Sequence, residues 1–276
     1  MSRTVDLSGK VVAVTGGANG IGREIARLLA SHGARIAIGD RDVEAARQTA
    51  NELDGTLLGL DLDVTDTESF VAFLAAVDAA WGAIDVLVNN AGVMWVGAFT
   101  EEPDAATARQ VAVNLLGVIR GVKLAAPAML ARGSGHIVTI ASAASMLTTP
   151  GEATYAASKH GVLGYLKAVR AELYRSPIHF TVIMPAVVDT ALATGTATGA
   201  AKLLQPADVA AAVLRAIVRP RFEITIPGYV GPLQRAINVL PGFLRDPLFR
   251  GLVPDQVRQV DRGSRAGYET QFSDRD

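Results

Sequence analysis

Tyr155 and Lys159 stand four residues apart in a helical pattern, Thr154-Tyr155-Ala156-Ala157-Ser158-Lys159. At that spacing both side chains share one helix face, a turn apart, which sets an ammonium beside a phenol. A phenol titrates at about 10 in water and is a poor base at neutral pH, and a neighbouring cation stabilises the phenolate. Alone, the pair also suits an amphipathic helix with tyrosine in the core and lysine in solvent. Ser142 follows the apolar run His136–Ala141, and in open α/β sheets ligands bind beyond the carboxyl ends of strands. Its hydroxyl could hydrogen-bond a carbonyl oxygen as charge develops there. A capping serine is the plainer role, and Ser145 is the nearest rival. Asn114 interrupts the apolar segment Val111–Leu116; a buried amide is costly unless bonded, so it is a structural bridge or part of a site.

A second constellation lies near the N-terminus, where an apolar run leads into Thr15-Gly16-Gly17-Ala18-Asn19-Gly20-Ile21-Gly22 and then a helical pattern. Glycines there let the backbone turn tightly and approach a pyrophosphate, whose charge sits at the helix N-terminus. The spacing is G-x-x-x-G-x-G, and a ligand-free glycine turn shares that composition. Asp40, at the end of the next apolar run, can accept hydrogen bonds from an adenosine ribose and would repel a 2′-phosphate. Arg41 could bind that phosphate bidentately, or be a solvated charge at a helix start. Asn19 supplies no cation in the glycine loop. The balance favours NAD, with NADP the alternative.

Positioning these residues requires a sheet. Short β-branched runs at Lys10–Thr15, Arg35–Ile38, Thr56–Asp61, Val86–Val88, His136–Ala141, His179–Met184 and Glu223–Ile226 alternate with helical stretches. The helices are expected at Gly20–Ser31, Asp42–Leu53, Thr67–Ala80, Asp104–Met129, Thr154–Tyr174 and Pro206–Arg219. Such alternation predicts βαβ units and a doubly wound parallel sheet of the α/β class. One catalytic domain over 1–228 is expected, then an apolar, Pro/Gly-punctuated extension over 229–260 and a loose polar tail over 261–276.

Composition narrows the function. The 276 residues are 50% hydrophobic and 19% charged, carry a net charge of -1 and contain no cysteine. Disorder is excluded, as are disulfides, thiolate metal sites and a cysteine nucleophile. Phosphate neutralisation needs a basic excess, so no nucleic-acid partner is expected. The polar start, Met1 to Asp6, lacks the apolar core of a secretory signal. The longest uncharged stretch, Gly133–Gly151, is broken by Ser, Thr, His and Pro, so no membrane span is expected and the location is read as cytoplasmic.

In combination, Thr15–Gly22, Asp63-Val64, Asn89-Asn90-Ala91-Gly92, Asn114, Ser142, Tyr155 and Lys159 resemble the short-chain dehydrogenase/reductase family in order and spacing. The resemblance runs from about Leu7 to Ile226 and implies a Rossmann-like sheet of seven strands and an NAD(P)-dependent oxidoreductase. It implies Tyr155 as acid/base, Lys159 lowering its pKa and binding the nicotinamide ribose, Ser142 polarising the substrate oxygen and Asn114 holding a relay water. Gly16, Asn19, Gly20, Ile21, Gly22, Asp40 and Arg41 then join Asp63, Val64, Asn90, Ala91 and Gly92 along the adenosine and pyrophosphate. Pro185, Val188 and Thr190 follow the sixth strand, Thr190 at the position that bonds the carboxamide. Two positions depart from the family pattern: Ala186 replaces the usual glycine after Pro185, and Ser145 stands where glycine often follows the catalytic serine.

Val188–Gln205 is expected to close over substrate. Met94, Trp95, Met146, Leu147, Val187 and Leu192 are the candidate pocket, favouring an apolar secondary alcohol or ketone. A 3-oxoacyl thioester reductase using NADPH is the rival chemistry, and a catalytically silent nucleotide-binding regulator the rival class. A homotetramer or homodimer is expected through the faces of 104–129 and 154–174. The extension is expected to cap the cleft or a neighbouring subunit; membrane contact through it is the less favoured reading.

Overall fold

The computed structural model describes residues 5–199 and 202–272. Seven strands form one parallel sheet: β1 Val11–Thr15, β2 Arg35–Asp40, β3 Thr56–Asp61, β4 Val86–Asn89, β5 Gly135–Ile140, β6 Ile178–Pro185 and β7 Glu223–Ile226. Their spatial order is β3-β2-β1-β4-β5-β6-β7. The central strands are covered on both faces, which explains why they read as continuous apolar runs rather than as alternating ones. Register is fixed at the centre by Val12, which faces Ile36 of β2 on one side and Val86 of β4 on the other. The winding reverses between β1 and β4, so the loops leaving these strands diverge and open a crevice at their carboxyl ends.

Helices cover both faces. On one face lie α1 Gly20–Ala30, α2 Val43–Glu52 and α7 Pro206–Val218, which bury Ile25, Leu29, Ala46, Val209 and Val213 against the sheet. On the other lie α3 Thr67–Trp81, α4 Asp104–Gln110, α5 Gly117–Arg132 and α6 Ala153–Glu172. Phe70, Phe73, Val122, Met129 and Leu166 fill that second core. Helix starts follow from local chemistry: Asp42 accepts from Ala45 N, Asp66 accepts from Glu68 N, and Pro206 opens α7 beside a Gln205/Asp208 capping box. By length and mean hydropathy the run Asp104–Arg132 could cross a membrane. Its apolar side is instead spent on β4, β5, α3 and α6.

The expected elements are all present, with shifts at their ends. β2 continues past Ile38 because Gly39 and Asp40 still pair with Leu60 and Asp61 of β3. The expected helix 104–129 carries a wide π-type turn at Val111–Leu116 between α4 and α5. It runs on to Arg132, where Gly133, in the left-handed region at φ 75°, ends it. Beyond β7 come α8 Val230–Asn238, α9 Gly242–Leu252, α10 Gln256–Gln259 and α11 Arg262–Glu269. The polar tail expected to be loose is therefore folded over 262–272, and Arg265 within it is fully buried. The rest of that tail, 273–276, and the start of the N-terminal segment, 1–4, lie outside the described residues.

Candidate active site

The glycine loop joins β1 to α1. Gly16 has a left-handed backbone, φ 61°, and a Cβ there would lie 2.8 Å from Ala91 Cα. A Cβ on Gly22 would meet Gly16 O at 2.2 Å and Asn90 Nδ2 at 2.6 Å, so α1 can approach the β4 loop only with glycine. Asn19 occupies the N-cap of α1, but its side chain makes no capping bond, and no acidic residue lies in the first turn. The first amide N–H groups of α1 are thus left to an anion, as a pyrophosphate site requires. Asn90 spends its amide inside the protein, donating to Thr15 O at 3.0 Å and Gly16 O at 2.8 Å. Thr15 Oγ1 in turn accepts from the Asn90 and Ala91 amides. Loops from β1 and β4 are thereby stitched together around the crevice.

Asp40 ends β2 and accepts from Ala18 N at 3.1 Å and Asp42 N at 3.2 Å, which orients its carboxylate while leaving acceptor capacity. Arg41 beside it is exposed. Asp63 accepts from Thr65 N and Oγ1 at 2.8 and 2.7 Å. Burial pushes its pKa up, but the Thr65 bonds and the nearby Arg109 and Arg41 outweigh that, and its pKa is lowered. Sequence reasoning missed Arg109. It reaches the same end of the cleft from α4, its Nε is buried without a partner, and burial followed by repulsion from Arg41 lowers its pKa. Its spacing, four residues before the cleft-lining Val113, was the available signal.

At the other end, Tyr155 and Lys159 lie on α6 as the spacing requires, 7% and 4% exposed. Lys159 Nζ sits 5.6 Å from the Tyr155 ring centroid and donates to Ile140 O at 3.3 Å. Burial dominates both groups: it pushes the ammonium down to about 8 and pushes the phenol above its usual value. Ser142, in hydrogen-bonding reach of the phenol, pulls it partly back, while Glu152 and Tyr268 push it further up. The phenol is thus held protonated in this structure. Ser142 also accepts from Ala144 N at 3.1 Å, capping the short 3₁₀ turn Ala143–Ser145. Ser145, its rival, is buried with its hydroxyl unpaired, and it does not line the cleft. Asn114 is fully buried; it accepts from Val93 N at 2.8 Å and donates to Val93 O and Ser158 Oγ at 2.9 and 3.1 Å. It bridges the β4 loop to α6, and a Cβ at Gly92 would lie 3.4 Å from its Oδ1 and 3.6 Å from Lys159 Nζ.

Most of these residues line a cavity of about 450 Å³, with Gly22 and Asn114 set behind its wall. It holds Gly16, Asn19–Ile21, Asp40, Arg41, Asp63, Val64 and Asn90–Gly92 at one end and Ser142, Tyr155 and Lys159 at the other. Pro185, Val188 and Thr190 lie between them at the end of β6. The set suits an extended dinucleotide: uncapped amides for phosphates, acceptors at the adenosine end and an ammonium with donors to spare near the phenol. Of the candidate pocket residues, Met94, Leu147, Val187 and Leu192 face the cavity. Trp95 and Met146 do not: Trp95 packs into the core and Met146 against it. Leu252, Val253, Pro254 and Gln256 from the extension complete the wall, together with Glu152. The sequence signal for Glu152 is its place three residues before Tyr155.

The fold and this constellation together define a class. The short chain dehydrogenase profile matches residues 10–200, and the chain belongs to the short-chain dehydrogenase/reductase family, an NAD(P)-dependent oxidoreductase acting on CH–OH donors. An uncharacterized oxidoreductase of Staphylococcus saprophyticus is 34% identical over 220 residues, 78% of this chain and 94% of the relative. A 2,5-dichloro-2,5-cyclohexadiene-1,4-diol dehydrogenase of Sphingobium indicum is 36% identical over 187 residues, 67% of this chain and 75% of the relative. Among solved structures, a family member from Burkholderia phymatum in complex with NAD superposes with a TM-score of 0.78 at 28% identity. That match covers 85% of this chain and 94% of the other. An alcohol dehydrogenase from Thermococcus sibiricus complexed with 5-hydroxy-NADP gives 0.71 at 29% identity, covering 78% and 95%.

Proposed function

We propose that the protein interconverts a fairly apolar secondary alcohol and its ketone. The observation that carries this reading is the convergence of the Tyr155 phenol and the Ser142 hydroxyl on a cleft walled by Met94, Leu147, Val187, Leu192 and Leu252. A bound nicotinamide supplies or takes the hydride. Tyr155, protonated in its buried setting, gives its proton to the carbonyl oxygen during reduction and takes it back during oxidation. Ser142 donates to the same oxygen as charge builds there. Lys159, anchored on Ile140 O, keeps N–H donors free for ribose hydroxyls and holds positive charge beside the phenol. Asn114 sets the relative position of the β4 loop and α6 through Val93 and Ser158; in this reading its amide also flanks the path of a relay water.

The reading assigns the adenosine end to NAD through Asp40. The juxtaposition of Arg41 and Arg109 supports a second reading, in which a 2′-phosphate is bound and the reaction is an NADPH-dependent 3-oxoacyl thioester reduction. The Sphingobium relative, a dehydrogenase of a chlorinated cyclic diol by its name, supports the first. Turnover of a panel of cyclic and acyclic secondary alcohols, ketones and a 3-oxoacyl thioester with each nicotinamide, followed by absorbance, decides between them. Preference for the thioester with NADPH would replace the proposal. The assembly proposed is a homodimer or homotetramer packed through the helices of 104–132 and α6.

A further inference from the structure

We infer that Glu152 is a second anchor for the substrate, binding a hydroxyl other than the one that reacts, so that diols and hydroxyketones are preferred over monofunctional alcohols. The inference rests on the alcohol–ketone reading of the site. Glu152 is the N-cap of α6, three positions before Tyr155 and seven before Lys159, and all three line the cleft. The carboxyl group is 8% exposed and forms no ion pair within 4 Å among the described residues.

The polar groups nearest Glu152 have partners of their own. Gln256 binds Ala197 through both amide atoms, accepting from its N at 2.9 Å and donating to its O at 2.8 Å. Arg265 donates to Met94 O, Leu192 O, Thr194 O and Glu269 at 2.7 to 3.1 Å. Glu102 is engaged by Gln110 and Thr154. Glu152 is a buried carboxyl on the cleft wall, hydrogen-bonded with Gln256 of α10 and close to the charge of Arg265 of α11 and to the Tyr155 phenol. One neighbouring hydrogen bond leaves acceptor capacity on a buried carboxyl, and a ligand hydroxyl can use it.

The chemistry of the carboxyl selects the ligand. Burial pushes Glu152 up to about 7, with Arg265 and Gln256 pulling the other way, so near neutral pH both forms are present. A hydroxyl can donate to the ionised form and accept from the neutral one, whereas a substrate carboxylate would be repelled and an ammonium would suit one form only. Glu152 precedes Tyr155 by three positions at the start of α6, a backbone offset of about one turn. That offset fits oxygens in a 1,3- or 1,4-relation better than vicinal ones.

The test compares cyclohexane-1,4-diol with cyclohexanol, in turnover and in calorimetric binding to the NAD-loaded protein, for the wild type, Glu152→Leu and Glu152→Gln. A hydrogen bond to a charged group predicts a diol preference on the order of 10- to 100-fold in the wild type. It should fall to within about threefold in Glu152→Leu and to an intermediate value in Glu152→Gln, which keeps hydrogen-bonding atoms. A wild-type ratio near one, or a wild-type ratio that survives in Glu152→Leu, overturns the inference. Binding separates the two readings. A diol preference in binding that depends on Glu152, without turnover of either alcohol, supports the anchor and sinks the oxidoreductase substrate reading. Turnover of both alcohols with no binding preference does the reverse.

Discussion

The Tyr155 ring packs in a small cluster with Met94, Val96, Ala144 and Ala156, while its hydroxyl alone meets Ser142. Removing only the oxygen, Tyr155→Phe, should keep the packing and lower kcat/KM by about 10²- to 10⁴-fold. Nucleotide affinity, read by calorimetry, should change less than threefold or so; a variant that turns over normally would end the assignment. Glu152 yields a different prediction, through pH. Its carboxyl is raised from 4.5 to about 7 in the folded protein, so between those values the folded state binds more protons than the unfolded one. Stability contributed by this group is then largest below pH 4.5 and falls as pH rises through 7. With about 1.4 kcal/mol per unit, the loss is on the order of 3 kcal/mol. Glu152→Gln should therefore be more stable than wild type at pH 8 and close to it or weaker at pH 4.5, measured by denaturant titration. A difference independent of pH would show that the carboxyl is not neutralised by burial.

At the scale of elements, β1, β4, β5 and β6 were legible because strands buried on both faces must be apolar throughout, and the turns between them carry glycine, proline and aspartate. Tyr155 and Lys159 were legible because helical spacing alone puts them together. What spacing could not show was desolvation, which raises the phenol further than its Ser142 hydrogen bond lowers it. α11 was illegible for a related reason: Arg262, Arg265 and Glu269 read as solvent-facing, and nothing in hydropathy announces an arginine buried by backbone carbonyls. That arginine ties the turn Ala191–Ala193 and the β4 loop to α11, while Gln256 and the Asp261 N to Gly195 O bond hold the same segment from α10. Arg265→Leu leaves three carbonyls without their donor at about 1–3 kcal/mol each before relaxation. The expected result is faster proteolysis within 191–199 and a KM raised about tenfold for bulky substrates, with nucleotide binding retained. Unchanged proteolysis would deny α11 its hold on that segment.

For the whole molecule, the apolar surface left over is concentrated at the α8–α9 corner, where Val239 and Phe243 are 82% and 76% exposed. Two of the three arginines nearby are neutralised, Arg235 by Glu223 and Arg245 by Asp246, which weakens any attraction to anionic lipid. Flotation with anionic vesicles should leave the protein in the soluble fraction; co-flotation that Phe243→Ser abolishes would establish a membrane face instead. Light scattering at micromolar concentration should give at least twice the 28.8 kDa chain mass. A monomer would count against assembly through the long helices. This scale was the least legible in sequence, because an exposed leucine and one covered by a second subunit are the same letter.

The cleft is divided along the chain. Its glycine loop and the carboxylates Asp40 and Asp63 follow β1, β2 and β3, and α7 backs the loop by packing on α1, whereas part of the opposite wall comes from residues 252–256. A fusion that displaces α9 to α11 would therefore open that wall while leaving the glycine loop in place, so an appended partner is better borne at the N-terminal end of the chain than at the C-terminal end.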